Sequence, residues 1–511
     1  MKTRKLKTRR FLCWLFLTAV FCAVSFGGCG GSDNLASLVS PDTQSQDVTP
    51  TPTPTSPDVT PTPTPTSPDV TPVVPDPPTS PDVVPDVPNT PASGDNPPDM
   101  PNTPASGDNQ PSTTSDDVTT PTTEDETVTG ETYTSSTAFE NALLINGSTS
   151  TYTNITVNKT GDASGQSENY DWYGTNAAVL AQGGADVTIS GSGTTIHSNA
   201  VGGNAVFAYG GNSGMNTNNS GDGTKITISD ATITTESHNS GGIMVTGGGI
   251  IEASNLTITT SSGSSAAIRS DRGGGTINVT GGTYTTSGAG SPAIYSTAAI
   301  TGSDVTLESK AAQVVVIEGG NSVTLYDSTL IADNNTLNSN NDTYYQAIMI
   351  YQSQSGDASN GTSSFTMAGG SITNANGDIF HVTNTTTTIS LSESIAITNN
   401  DANGYFLRAS TDSWGSSGSN GGKVTLNADG QTIEGNMLVD SVSSLTLNMS
   451  NSSVFNGAIN TTGQTGTVNV VIDSSSTWTL TGNSYVSSLT NNGTINQGSY
   501  TLYVNGAAYS N

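Results

Sequence analysis

Cysteine is almost missing from this chain of 511 residues: only Cys13, Cys22 and Cys29 occur, all near the start. If the first 28 residues are a leader that is removed, at most one cysteine remains, which excludes an internal disulfide framework. Basic residues are also scarce, at 13 Lys+Arg against 42 Asp+Glu, and six of the 13 fall in the first ten positions. Without the leader, seven basic residues face 42 acidic ones, a formal charge near −35. Such a surface repels nucleic acid and anionic headgroups, which excludes a nucleic-acid partner. The three histidines, His197, His238 and His381, are too far apart for a zinc H-E-x-x-H motif. No Gly-His-Gly, Asn-Thr-Asp or calcium-binding G-G-x-G-x-D run occurs, and no G-x-S-x-G elbow comes with a plausible histidine partner. Helical periodicity is nearly absent too, apart from a short candidate at Ala138–Leu144.

The one long apolar run, Phe11–Phe26, follows a basic start and is short for a membrane span. Residues 1–28 are expected to be a signal peptide. The Gly27-Gly28-Cys29 ending resembles the bacterial lipoprotein signal, with Phe26 where that family prefers Leu. The resemblance implies a diacylglycerol thioether on Cys29, hence a membrane partner and an exported protein anchored at an outer membrane or cell surface. Residues 29–131 are dominated by Pro, Thr, Ser, Asp and Val. Asp47–Pro57 repeats as Asp58–Pro68, and Pro88–Asn96 recurs at Pro101–Asn109. This composition cannot build a core and favours extended polyproline II, so a disordered stalk is expected.

From Thr132 to Asn511 a short phrase recurs: apolar-x-apolar, a turn, then apolar. Ile226-x-Ile228 leads to Ile233, Val323-x-Leu325 to Leu330, and Phe365-x-Met367 to Ile372. Period-two alternation means strands with one buried face, and Gly-Gly or Asp-Ser/Ala punctuates the turns. A further apolar pair precedes each phrase, among them Ile243-Met244-Val245, Ala293-Ile294 and Phe406-Leu407. About a dozen such units predict an all-β fold, a right-handed single-stack parallel β-helix about 60 Å long, because each coil rises ~4.8 Å. A β-propeller is the rival. Uneven insertions such as Asn212–Gly223 and Asp333–Tyr344 suit a solenoid better.

The stretch Ser476–Asn496 (STWTLTGNSYVSSLTNNGTIN) resembles the last coils of autotransporter passenger domains, which are right-handed β-helices. No translocator barrel follows within the sequence, and the lipid anchor is expected to take its place. Gly174–Gly506 resembles large adhesin-like β-helix surface proteins, through phrases such as Ala267–Gly275 (AIRSDRGGG), Ser291–Thr297 (SPAIYST) and Trp414–Gly422 (WGSSGSNGG). The resemblance implies fold and surface location more than chemistry.

The residue after each apolar pair forms a column: Arg269, Tyr295, Glu318, Tyr351, His381 and Arg408. If Ile268, Ile294, Ile317, Ile350, Phe380 and Leu407 point inward, these six point outward, joined by Asp271 with Arg272 beside it. Arg269, Asp271, Arg272, Tyr295 and Arg408 are the expected ligand contacts. Arginine pairs with carboxylates and tyrosine offers a flat face to a sugar ring, so an anionic or hydroxyl-rich glycan, or another cell-surface ligand, is the expected partner. Glu318, His381 and Tyr351 are the candidates for acid–base work if the protein is a polysaccharide lyase or glycosidase rather than an adhesin. No organic cofactor is implied. Ca²⁺ on Glu318 and Asp271 oxygens is the one metal the column accommodates. Gly273-Gly274-Gly275 is expected to be a tight corner. The outward threonines Thr227, Thr257 and Thr324 are interrupted by Asn278, which argues against an ice-binding face.

Overall fold

The computed structural model describes residues 122–163, 169–212, 220–337, 343–353 and 355–510. The expected leader, Cys29 and all but the last ten residues of the expected stalk lie outside the described residues. The rest is a parallel β-helix, as the repeat predicts. Each coil contributes three strands. In one coil these are Lys225–Ser229, Thr232–Thr235 and Ile243–Thr246; in the next, Gly249–Ser254, Thr257–Thr260 and Ile268–Ser270. Equivalent strands pair in parallel, bringing Ile226 onto Ile251, Ile233 onto Ile258 and Ile243 onto Ile268. Every third strand therefore joins the same sheet. The first sheet has 14 strands, the second ten, and the third, called here the site sheet, 11. At the usual strand spacing the longest stack rises about 60 Å.

The inward residues of all three sheets form one apolar core. Aromatic side chains meet inside it: Phe380 lies edge-on to Phe365 and Phe406, at 5.5 and 5.7 Å between ring centroids, and Phe455 stacks on Trp478 of the next coil at 5.5 Å. The corner between the first and second sheets is two residues wide in most coils and needs a left-handed backbone. Asp230, Asn255, Asp304 and Asp327 supply it with φ between 46° and 56°, and Gly281-Gly282 and Gly369-Gly370 do so elsewhere. The corner leading to the site sheet carries a buried hydroxyl ladder. Thr235, Thr260 and Thr286 each donate to a serine carbonyl five residues on, at 2.5 to 2.6 Å.

Several expectations change. Glu126–Thr129 already pairs with Thr149–Thr153, so the first coil begins upstream of Thr132. Ala138–Leu144 is not a helix; it turns into the strand Leu143–Asn146 because Asn141 is held by the carbonyls of Gly174 and Ala177. The helix among the described residues is Asn169–Tyr173, in a stretch with no helical periodicity. The second sheet ends at Ala396–Asn399, and a separate four-stranded sheet from Thr432–Glu434 to Thr494–Asn496 serves the last coils. Tyr503 and Val504 close the stack in an antiparallel pair with Ala508 and Ala507.

Candidate functional site

The insertions are not spread around the coil. The longer ones join the site sheet to its neighbours, at 160–178, 210–224, 333–345, 352–361 and 410–422, whereas the opposite corner spans at most four residues. Described residues of four of them, Trp172, Tyr344, Ser353 and Trp414, pack over the outer face of the site sheet. That face is therefore a second interior rather than a solvated ladder.

Parity was read correctly and phase was not. Arg269 stands beside Tyr295, but Tyr295 is paired with Val316, which is followed by Met349, His381 and Arg408. Glu318 and Tyr351 lie two residues further along, next to each other in a second column of the same face. An offset of two keeps every side chain on its face, where an offset of one would have turned it inward. The expected single, solvent-exposed column is thus two covered columns. Glu318 and His381 are fully buried, Tyr351 nearly so, and Arg269 and Arg408 show only 11% and 14% of their side chains.

Six of the expected residues gather on one side. The helix Asn169–Tyr173 lies over the sheet, pinned by the Thr246 hydroxyl donating to the Trp172 carbonyl at 2.6 Å. Asp171 from this helix and Asp271 from the sheet share Arg269, at 3.0 and 3.2 Å. Asn239 accepts from the same guanidinium at 2.8 Å and donates to Asp171. Arg272 stacks on the Trp172 ring, 3.6 Å from its centroid, and pairs with Asp357 at 3.1 Å. Beyond Asp271, Tyr295 and Tyr351 both donate to Glu318 Oε2, Tyr351 at 3.0 Å, and Ser353 donates to Oε1. Trp414, from the 410–422 insertion, packs on Tyr351 with ring centroids 4.8 Å apart. Between these groups lies a cleft of about 290 Å³, walled by Trp172, Arg269, Asp271, Tyr295, Tyr351 and Trp414.

Burial dominates the electrostatics. It pushes Asp271 up to about 7 against the opposing pull of Arg269. Burial also raises Asp171 and Glu318, the latter against three hydroxyl hydrogen bonds that hold it down. Tyr295 is held well above the usual phenol range, by burial first and by Glu318 second.

His381 and Arg408 do not reach this cleft. Arg408 pairs with Asp378 at 2.5 Å and lies over Tyr344, 3.9 Å from its centroid. His381 sits between the Ser410 hydroxyl, 3.3 Å from Nε2, and the Asp412 carboxylate, 3.9 Å from Nδ1. Burial lowers its pKa to about 4, and Ser410 beside it is only 4% exposed, so the group has no room for a substrate. Among the described residues no group of three or more His, Cys, Asp or Glu is placed to hold a metal ion. Asp271 and Glu318 are engaged by guanidinium and hydroxyl donors instead. Gly273 and Gly274 take left-handed conformations at a corner, as expected.

Sequence reasoning missed Asp171, Trp172, Asn239, Asp357 and Trp414. One signal pointed to two of them: beyond residue 28 the chain has three tryptophans, Trp172, Trp414 and Trp478, and only Trp478 belongs to the repeat. Comparison with protein-family models, with curated proteins and with solved structures finds no match.

Proposed function

We propose that this protein is a glycan-binding β-helix of the cell surface, carried on the residue 29–131 stalk and tethered by lipid on Cys29, and that the cleft beside Arg269 holds a neutral, hydroxyl-rich sugar. The observation that carries the ligand reading is the pairing of every cation at the cleft. Arg269 is shared by two aspartates and Arg272 is taken by Asp357. No guanidinium is left for a sugar carboxylate, so the anionic half of the earlier expectation is set aside. What the cleft offers is rigid, charge-paired Asp, Arg and Asn atoms to meet hydroxyl groups. Two indoles and two phenols offer flat apolar surface to a sugar ring. An adhesin-like role on a bacterial surface follows from such a cleft on a stalk and from the resemblance of the repeats. A lyase acting on uronates is disfavoured, since it needs a free cation for the substrate carboxylate.

Glycan-array binding with the full chain, followed by calorimetry on the hits, tests the ligand class. Neutral oligosaccharides should bind, and Trp172→Ala and Trp414→Ala should each weaken binding by on the order of tenfold, the worth of one aromatic contact. Because no exposed charge pair is made, affinity should change little between low salt and 0.5 M salt. Preference for uronates, with steep salt dependence, would overturn the neutral-sugar reading. The anchor has its own test: Cys29→Ser should move the protein out of the membrane fraction or leave a precursor of unprocessed size. Normal size and unchanged fractionation would refute lipidation.

A further inference from the structure

We propose that the cleft hydrolyses the glycoside it holds, with Tyr295 as nucleophile, Glu318 as the base that takes its proton, and Asp271 as the acid that protonates the leaving oxygen. This rests on the neutral-sugar reading above.

Glu318 is the unusual group. It is fully buried, and among the described residues no cation pairs with it. Burying a carboxylate without a counter-ion is costly. Three hydroxyls converge on it instead, from Tyr295, Tyr351 and Ser353. Both phenol rings line the cleft, so Glu318 lies behind them and cannot itself touch a sugar. Its route to a ligand runs through a phenol oxygen. Such an arrangement holds a carboxylate ready to accept a proton without letting it relax toward solvent. Burial strongly opposes a free Tyr295 phenolate, so the proton must leave as the new bond forms.

The acid is defined by a shortage of positive charge. Asp171 and Asp271 share the single guanidinium of Arg269, and all three groups are nearly enclosed. Two carboxylates on one cation retain a proton more readily than a one-to-one pair. Both line the cleft; Asp271, directly after the strand Ile268–Ser270, is the more open of the two at 8% exposure, and its pKa of about 7 keeps it protonated for part of the time at neutral pH. Asp171 is only 4% exposed, and Asp357 is tied to Arg272.

In the first step the Tyr295 Oη–C1 bond forms as the glycosidic C1–O bond breaks. The phenol proton passes to Glu318 Oε2, and the leaving oxygen takes the proton of Asp271. In the second step water attacks C1 and gives a proton to the Asp271 carboxylate. The C1–Oη bond breaks, and Tyr295 recovers its proton from Glu318. One water is consumed, the catalyst returns unchanged, and the anomeric configuration is retained. Tyr351, the second donor to Oε2, is a positioning residue.

The experiment uses the full chain with para-nitrophenyl glycosides of neutral sugars, the matching natural oligosaccharides, and deoxyfluoro glycosides carrying a dinitrophenyl leaving group. Wild type should release nitrophenol from a glycoside it binds, and the fluoro sugar should become covalently attached to Tyr295, located by peptide mass spectrometry. Tyr295→Phe should bind with unchanged affinity, unfold at a similar temperature, and turn over at least about a hundredfold more slowly. Asp271→Asn should lose most activity on natural oligosaccharides and much less on dinitrophenyl glycosides, whose leaving group needs no proton. Binding without release by wild type would overturn hydrolysis and leave the binding reading standing. No binding across the panel would overturn both. Label on a carboxylate, or undiminished turnover in Tyr295→Phe, would overturn the assignment of Tyr295.

Discussion

At the scale of single residues, the site is a set of buried charges whose partners come from distant parts of the chain. Arg269 is held by Asp171, 98 positions away, and Arg272 by Asp357, 85 positions away. Such pairs cannot be read from local sequence, which is why Arg269 was expected to be free to bind an acidic sugar and is not. Asp271 gives a pH test with a definite sign. Its folded pKa, about 7, lies above its unfolded value of 3.8. Between these values the folded state holds more protons than the unfolded state, so stability contributed by this group is full below the lower value and lost as pH rises through 7. Thermal unfolding should therefore move to lower temperature from pH 4 to pH 8, and Asp271→Asn should flatten that dependence. An unchanged slope in the variant would mean that Asp271 titrates normally.

At the scale of elements, the fold was legible because the first and second sheets have one buried face and one wet one. Their strands alternate strictly, as in Ile226-Thr227-Ile228, and their corners are marked by Asp, Asn or Gly. The site sheet obeys a different rule. Where it is covered on both faces, some of its strands follow unbroken apolar runs, such as Val314-Val315-Val316-Ile317, and a run apolar at every position shows no phase. That explains the two-residue error at Glu318 and Tyr351 and none at Arg269 and Tyr295, where polar residues mark the outer face. The cover itself was visible only as uneven spacing between coils. The short helix Asn169–Tyr173 joins no backbone ladder and is tied to the coils mainly through its side chains, so it should be the weak element of the site. Thr246→Val removes the hydroxyl that pins it, and hydrogen exchange at Asp171–Tyr173 should accelerate while the core strands stay protected. In the core, Phe380→Ala removes the middle ring of the edge-to-face Phe365–Phe380–Phe406 cluster and should cost about 3–5 kcal/mol in denaturant unfolding. A loss below about 1 kcal/mol would show that the cluster is not fixed as described.

At the scale of the whole molecule, the chain joins a strongly acidic composition to a site in which charge is balanced locally. The described part needs no disulfide, because a stack of parallel coils buries a continuous apolar column and satisfies its backbone from coil to coil. A rigid stack with all its larger insertions beside one sheet confines variation to that sheet, where the cleft is found. The central claim is that this cleft recognises a sugar by hydroxyl bonding and stacking rather than by charge. The most direct measurement is titration calorimetry of the full chain against matched neutral and uronate oligosaccharides at low and at 0.5 M salt, with Trp172→Ala and Trp414→Ala beside wild type. Heat is expected with the neutral member alone, with an affinity nearly indifferent to salt and roughly tenfold weaker binding in each tryptophan variant. Binding of the uronate alone, weakened steeply by salt and untouched by either tryptophan change, would contradict it.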